Sequence, residues 1–340
     1  MSDLVVGACC LALSSAILFV VGRHWGQSLP KAKATALGMA VVGALLSYVL
    51  LLSDSLLLVA FFPFSNLIIL DNGIPCFTSL VAGIAWSLIP RQAATKPAAL
   101  TESQLSTPVA TPPLAAVEVG ERSSPMTPGL RLRRLTIVVI LQVMGAIAVV
   151  RPLWGQPPHC QNRWEGGLCI QTTDSTCTAA CAASLLRAYG IESSEQEMAD
   201  LCLTRGRGTL WQGLYRGLKL KTAGTPWDVA IVQGPFDNLR SLEDRPAILA
   251  AGVPRNATLA PIYTERYGWA PGEWHSVLFY KFRGNGLVAM GDPTPGIGLE
   301  NWTEDDLRLL WFGRGMRLVP RSQPVRSPVR LEPEPLPNPG

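Results

Sequence analysis

The sequence predicts an α+β domain carried behind a helical, membrane-spanning N-terminal region. Composition is the first observation: 48% of the 340 residues are hydrophobic and only 16% are charged, against about a quarter charged in an ordinary soluble domain. The second is that the long uncharged apolar runs lie before residue 154. The third is the order of local signals after residue 155. Helix signals come first and strand signals follow, which suits an α+β layout rather than a wound parallel sheet.

Charge is divided the same way. Residues 1–154 hold 10 basic and 6 acidic side chains, and residues 155–340 hold 19 of each, so the net +4 sits in the apolar half. A neutral C-terminal half argues against a nucleic-acid partner, because phosphate binding needs a basic face on the soluble part.

Residues 4–21 and 34–52 are uncharged runs of 18 and 19 residues, close to the roughly 20 needed to cross a bilayer. The first lacks a basic flank on its N-terminal side and further runs follow, which argues against a cleaved signal peptide. Residues 56–70 contain Pro63 and precede a second short run, 74–89; together they predict one crossing plus an interfacial or re-entrant piece. Residues 135–150 form a further crossing, extendable to Trp154 if Arg151 snorkels. Arg23, Lys31 and Lys33 between the first two spans, and Arg131, Arg133 and Arg134 before the last, mark cytoplasmic sides. Everything after residue 155 is then outside, provided that 56–89 crosses an odd number of times.

The domain organisation follows. Residues 1–90 are a transmembrane helical region and 131–154 a transmembrane helix. Residues 91–130, with six prolines among Ala, Ser and Thr, read as a disordered linker, and 321–340, with six more, as a disordered tail. Residues 155–320 are one domain of ordinary size.

Within that domain, 178–189 predicts a helix with Asp174, Ser175 and Thr176 as capping candidates and Gly190 as its stop. Ser194-x-x-Glu197 is a capping box that opens a second helix reaching about Cys202. Leu210, Leu214 and Leu218 recur at helical spacing after a Thr209 cap. Residues 247–251 read as a buried strand. Residues 276–282 and 287–291 read as a hairpin around Arg283-Gly284-Asn285-Gly286. Thr303-x-x-Asp306 opens a last short helix.

Eight cysteines are available. Cys9, Cys10 and Cys76 lie in apolar runs, and Cys160 and Cys169, in a polar stretch just after the last span, are expected to pair as a disulfide if the domain is outside. A zinc site from His159, Cys160, Cys169 and Cys177 would need a spacing that matches no common finger, so neither a metal nor another cofactor is expected. Cys177 stands at the first turn of a helix, where unpaired N–H groups and the dipole favour a thiolate. Cys181, one turn on, and Cys202 read as core. Gln171, six residues before Cys177, carries an amide able to donate to an oxyanion formed near the sulfur. His24 flanks the first span and His159 the last, which leaves His275 as the histidine inside the fold. If residues 283–286 form the hairpin loop, Val277 faces Asp292. His275 and Asp292 then share a face as diagonal neighbours, the arrangement in which a carboxylate orients a basic imidazole.

At this point the chain resembles the double-glycine leader peptidases, the papain-like cysteine peptidase domains of bacteriocin-exporting ABC transporters. The resemblance rests on the run from Gln171 through Cys177 and Cys181 to Tyr189-Gly190. It continues in Gly208-Thr-Leu-Trp-Gln-Gly-Leu214, His275-Ser-Val-Leu-Phe-Tyr, Asp292-Pro-Thr-Pro-Gly296 and Trp302-Thr-Glu-Asp-Asp-Leu307. It implies a papain-like fold, with the nucleophile helix packed on an antiparallel sheet. It also implies Cys177 as nucleophile, His275 as base, Asp292 as its orienter and Gln171 as oxyanion donor. A membrane-anchored cysteine peptidase follows, with a peptide or protein substrate, the lipid bilayer as surroundings and a separate transporter as a partner left open. Thr178 departs from the family's Gly, no ATP-binding half is read, and the domain is placed outside, whereas the transporters' peptidase works in the cytosol. An amidase or acyltransferase on the same fold, and a catalytically idle peptide-binding or sensory protein, remain as alternatives.

Overall fold

The computed structural model describes residues 2–51, 59, 63–88, 128–242, 245–256, 258 and 260–321. Most of the linker expected over 91–130 and nearly all of the tail expected over 321–340 lie outside the described residues, as do 52–58 and 60–62. The chain divides into two compact units that meet in sequence at Pro152 and Leu153.

The first unit is helical: α1 (Ser2–Ser28), α2 (Lys31–Leu51), α3 (Leu67–Leu70), α4 (Ile74–Leu88) and α5 (Pro128–Val150). Among the described residues, four segments, Ser2–Ser28, Lys31–Leu51, Leu67–Leu88 and Leu132–Leu153, are long and apolar enough to cross a membrane. Within 56–89, where one crossing plus an interfacial piece is expected, α3 and α4 lie in one span-length segment, Leu67–Leu88, and 56–58 and 60–62 lie outside the described residues. α1 and α4 touch backbone to backbone: a Cβ added at Gly22 would lie 2.3 Å from Leu80 O, and one at Gly83 2.2 Å from Phe19 O. Small residues permit this approach where lipid offers no hydrophobic drive between helices. Large apolar side chains such as Leu13, Met39 and Ile140 face outward.

The second unit is an α+β domain. A short hairpin, β1 (Arg163–Glu165) with β2 (Leu168–Ile170), leads into three helices: α6 (Cys177–Ala188), α7 (Glu195–Leu201) and α8 (Trp211–Lys221). Then follow β3 (Trp227–Gln233), β4 (Ala247–Gly252), α9 (Pro261–Glu265), β5 (Trp274–Arg283), β6 (Leu287–Asp292), β7 (Gly298–Thr303), α10 (Glu304–Leu310) and β8 (Trp311–Pro320). The six long strands form one sheet in the order β3-β8-β4-β5-β6-β7, antiparallel throughout.

α6 is the centre of the domain. Ala179, Ala180, Cys181, Ala182, Ala183, Leu185 and Leu186 are all fully buried, and their small size lets the helix sit close against β5, β4 and β2. Its stop is Gly190, whose φ of +73° suits glycine alone among unstrained residues. The other face of the sheet carries Val277, Phe279, Val288, Met290 and Trp302, covered by Leu307 and Leu310 of α10 and by Phe236 and Leu239.

Two expected caps form differently. Ser194 Oγ accepts from Glu197 N at 3.1 Å, but the Glu197 carboxylate reaches Ser193 and Lys221 instead of closing the box. α8 begins after Leu210 without a side-chain cap, because Thr209 Oγ1 bonds Thr204 Oγ1 at 2.7 Å. The box at Thr303 and Asp306 is complete. Cys160 and Cys169 are both free thiols, which corrects the expected disulfide. Cys169 is buried in β2 and its N–H donates to Ser184 Oγ of α6, while Cys160 is held by its own N–H to Gln196.

α7 and α8 meet at Gly217, where an added Cβ would lie 2.3 Å from Cys202 Sγ and 3.1 Å from Met198 Cε. Cys202 and Met198 are fully buried and have nowhere to move. Gly217→Ala is expected to destabilise the domain by about 1–3 kcal/mol, the usual range for overpacking. A near-ultraviolet circular dichroism melt of the full-length protein in detergent checks this, and an unchanged Tm would show that the contact relaxes freely.

Candidate active site

Three elements converge at one end of the sheet. Cys177 is the first residue of α6, His275 the second residue of β5, and Asp292 the last of β6. The helix start is unusual. Thr176 is the N-cap residue but makes no capping bond, because its Oγ1 turns back to accept from Thr173 N at 3.2 Å and donate to Thr173 O at 3.0 Å. The first-turn N–H groups therefore lack a side-chain acceptor, and the positive end of the helix is presented beside the Cys177 sulfur.

The hairpin decides where Asp292 points. Its loop has three residues, Gly284, Asn285 and Gly286, with Asn285 and Gly286 at φ of +63° and +72° and Arg283 opposite Leu287. That is one residue shorter than the loop expected from the sequence. The pairing Lys281↔Ala289 then gives way to Phe279↔Met290 across a bulge at Tyr280. The bulge restores the offset in which Val277 faces Asp292. Without it, Asp292 would lie opposite Leu278 and point to the other face of the sheet.

With the bulge, His275 Nε2 and Asp292 Oδ1 are 2.8 Å apart. The same oxygen accepts Thr294 N at 2.8 Å, so Asp292 both caps its own turn and meets the imidazole. The Cys177 thiol is coupled electrostatically to the same imidazole. Trp269 closes one flank, its ring edge-on to the imidazole at 5.9 Å between centroids.

The electrostatics follow from these contacts. Burial pushes the Cys177 thiol up, but the hydrogen bond and charge of His275, with help from Ser276 N–H and Thr178, outweigh it and the thiol lies below its usual value. Burial pulls His275 down, and its bonds to Asp292 and Cys177 overcome that and lift it to about 10. Asp292 is raised by burial and lowered further by His275 and Thr294, ending below the usual carboxylate range. The three shifts run toward thiolate, imidazolium and carboxylate in a row. By contrast, Cys181 is fully buried, donates to Ser276 O at 3.2 Å and is pushed well above the usual thiol range.

Gln171 lies between β2 and α6. Its backbone N–H donates to Pro293 O at 2.8 Å, which seats the segment beside Asp292. Its Nε2 donates to Thr173 O at 3.2 Å, leaving the second Nε2 hydrogen for a ligand, while its Oε1 is buried without a partner. Buried Glu195 holds the next residue, accepting Thr172 N and Oγ1 both at 2.7 Å.

Sequence reasoning missed two neighbours. Thr178 Oγ1 is 2.8 Å from Ser276 Oγ and 3.9 Å from the Cys177 sulfur. It thus ties the cysteine's helix to the histidine's strand. The signal was its adjacency to Cys177, where the resembling family has Gly.

The chain is similar to several solved peptidase domains. One is that of Streptococcus ComA, a bifunctional ABC transporter involved in a quorum-sensing pathway, at 19% identity and TM-score 0.35, covering 45% of this chain and 96% of that one. Another is a double-glycine-motif protease from an AMS/PCAT transporter in complex with the leader peptide, at 13% identity and TM-score 0.34, covering 47% and 95%. A third is the peptidase domain of Streptococcus mutans ComA, at 20% identity and TM-score 0.31, covering 45% and 99%. No protein-family model and no curated protein matches the chain.

The pH dependence follows from the shifts. His275 is raised above its ordinary 6.5, so its contribution to stability is complete below that value and is lost as pH rises through about 10. Asp292 is depressed, so its contribution is present above its ordinary 3.8 and is lost as pH falls through its folded value. Because its thiol lies below the usual value, Cys177 in the full-length protein should be alkylated by iodoacetamide faster at neutral pH than an ordinary thiol, with a rate that levels off at lower pH. An ordinary thiol gains about tenfold per unit below its pKa. Peptide mapping reads the site, and a tenfold-per-unit rise at Cys177 would show a neutral thiol there.

Proposed function

We propose that this chain is a membrane-anchored, papain-like cysteine peptidase acting through Cys177, His275 and Asp292 with Gln171 as oxyanion donor. The observation that carries it is the 2.8 Å contact of His275 Nε2 with Asp292 Oδ1 on an imidazole that lowers the pKa of a helix-start thiol. That is the nucleophile–base–orienter chain of covalent catalysis.

In this reading the Cys177 thiolate adds to the carbonyl carbon of a peptide bond. The charge that develops on oxygen meets the free Nε2 hydrogen of Gln171. The C–N bond breaks as His275 gives its proton to the departing amine, leaving a thioester on Cys177. Water, losing a proton to His275, then cleaves the thioester and restores the thiolate and imidazolium. Asp292 keeps the imidazole oriented and stabilises its charge without taking the proton.

In this reading the anchor comprises residues 1–90 and 131–154, with the peptidase over 155–320. A cytoplasmic linker and an external catalytic domain are the reading that four span-length segments among the described residues and the flanking Lys and Arg support. A peptide or protein is the substrate.

Two outcomes test this. Protease added to intact spheroplasts should digest the C-terminal domain and spare the linker; protection of the domain would overturn the orientation and leave the chemistry standing. In peptide turnover by the full-length protein in detergent, Cys177→Ala should abolish activity and His275→Ala should come close to it. Asp292→Asn should retain a measurable residue, and Gln171→Ala should lower kcat by about 10²–10³ with little change in KM. Cys181→Ala should remain active. Full activity of folded Cys177→Ala would end the peptidase reading.

A further inference from the structure

Beside the site lies a cavity of about 330 Å³ in which Asp292 forms part of the wall. Its other walls are largely aromatic: Tyr263, Tyr267, Trp269 and Trp302. One of these is in contact with the site: Trp269 is edge-on to His275 and, at 5.9 Å between centroids, to Trp302.

Two further carboxylates line the same space beside Asp292, Glu300 and Asp306. Asp306 is spoken for by Thr303 at the start of α10 and by the Tyr263 hydroxyl at 2.5 Å. Glu300 is half-buried and accepts only the Trp302 indole N–H. Among the described residues no Lys, Arg or His forms an ion pair with it. Burial raises its pKa, and the nearby charges of Asp292 and Asp306 push in the same direction. Arg266 also lines the cavity, exposed and over the Tyr267 ring. The cavity thus joins aromatic rings to three carboxylates and one exposed arginine, with Glu300 in no ion pair among the described residues. Such an enclosure favours a cation, which gains from ring faces and from charge-assisted hydrogen bonds together.

Position identifies whose cation it is. A carbonyl attacked by Cys177 lies over the sulfur, and the departing nitrogen must come within hydrogen-bond reach of His275 to be protonated. The chain that continues from that nitrogen therefore passes close to the imidazole, and the cavity adjoins the imidazole through Asp292 and Trp269. We infer that the cavity bounded by Tyr263, Trp269, Trp302 and Glu300 is a specificity site for a basic side chain, lysine or arginine, located C-terminal to the cleaved bond. This rests on the peptidase reading and names the substrate class for it.

The test uses the full-length protein in detergent and a synthetic peptide library randomised around the cut, with products sequenced by mass spectrometry. Lys and Arg should be enriched within the first three positions after the cut. For a matched peptide pair differing only in lysine or norleucine at the preferred position, kcat/KM should favour lysine by about tenfold. Glu300→Gln should bring that ratio close to one, and Glu300→Lys should invert the choice toward acidic residues. A ratio within one preparation does not depend on how much of a variant is folded. Cleavage with no basic preference, or a ratio unchanged in Glu300→Gln, overturns the specificity site and leaves the peptidase reading intact. Absence of any cleavage by the wild type overturns the peptidase reading instead. The cavity is then tested by tryptophan fluorescence titration with the same two peptides. About tenfold tighter binding of the lysine peptide, lost in Glu300→Gln, supports the site, and equal binding removes it.

Discussion

The register of the β5–β6 hairpin governs the site. Side chains on a strand alternate between faces, so a slip of one residue moves every later side chain to the opposite side. The three-residue loop at Gly284–Gly286 sets one register near the turn, and the bulge at Tyr280 resets it before the strands reach the sheet end. Only after that reset do His275 and Asp292 share a face and come within 2.8 Å. The bulge costs a disrupted ladder and an extra twist locally, and the His275–Asp292 contact depends on it.

The helix supplies the complementary half. α6 is made of alanines, cysteine and serine along much of its length, so it approaches the sheet closely enough for Cys181 to bond Ser276 O and Thr178 to bond Ser276 Oγ. Both partners sit next to His275 in β5. The distance between the cysteine and histidine is therefore set by backbone packing of a buried helix on a buried strand, and not by two long side chains reaching across solvent. Such a site loses little entropy when it forms its hydrogen bonds.

The chain before Cys177 is held with the same rigidity. Buried Glu195 from α7 takes both donors of Thr172, and Gln171 N–H bonds the carbonyl of Pro293. The loop carrying Gln171 is thus pinned from the helix side and from the strand side. Thr176, freed from capping, completes the loop by bonding Thr173 twice, and the uncapped helix end is left to stabilise sulfur as thiolate.

Features set by local chemistry were legible in the sequence. Uncharged runs long enough to span a membrane, the Gly190 helix stop, the Ser194 and Thr303 caps, and the fully apolar strand at 247–251 depend on residues close in the chain. So did the singling out of Cys177 at a helix start and of His275 and Asp292 on neighbouring strands. β3, β7 and β8 were not legible. β7 reads Gly-Leu-Glu-Asn-Trp-Thr and β8 contains two glycines and two arginines, patterns that become strands only because β6 and β4 offer free edges to pair with. The loop length and the bulge at Tyr280 were invisible for the same reason, and the sequence reading reached the offset at Asp292 through a longer loop without a bulge. The free thiols of Cys160 and Cys169, the bond from Thr178 to Ser276 and the aromatic cavity around Glu300 join residues up to about a hundred positions apart. Sequence determined which side chains could carry chemistry, because that is a property of residue type and local context. Tertiary structure decided which of them meet, because contact over such separations is set by sheet register and helix packing, which no local pattern encodes.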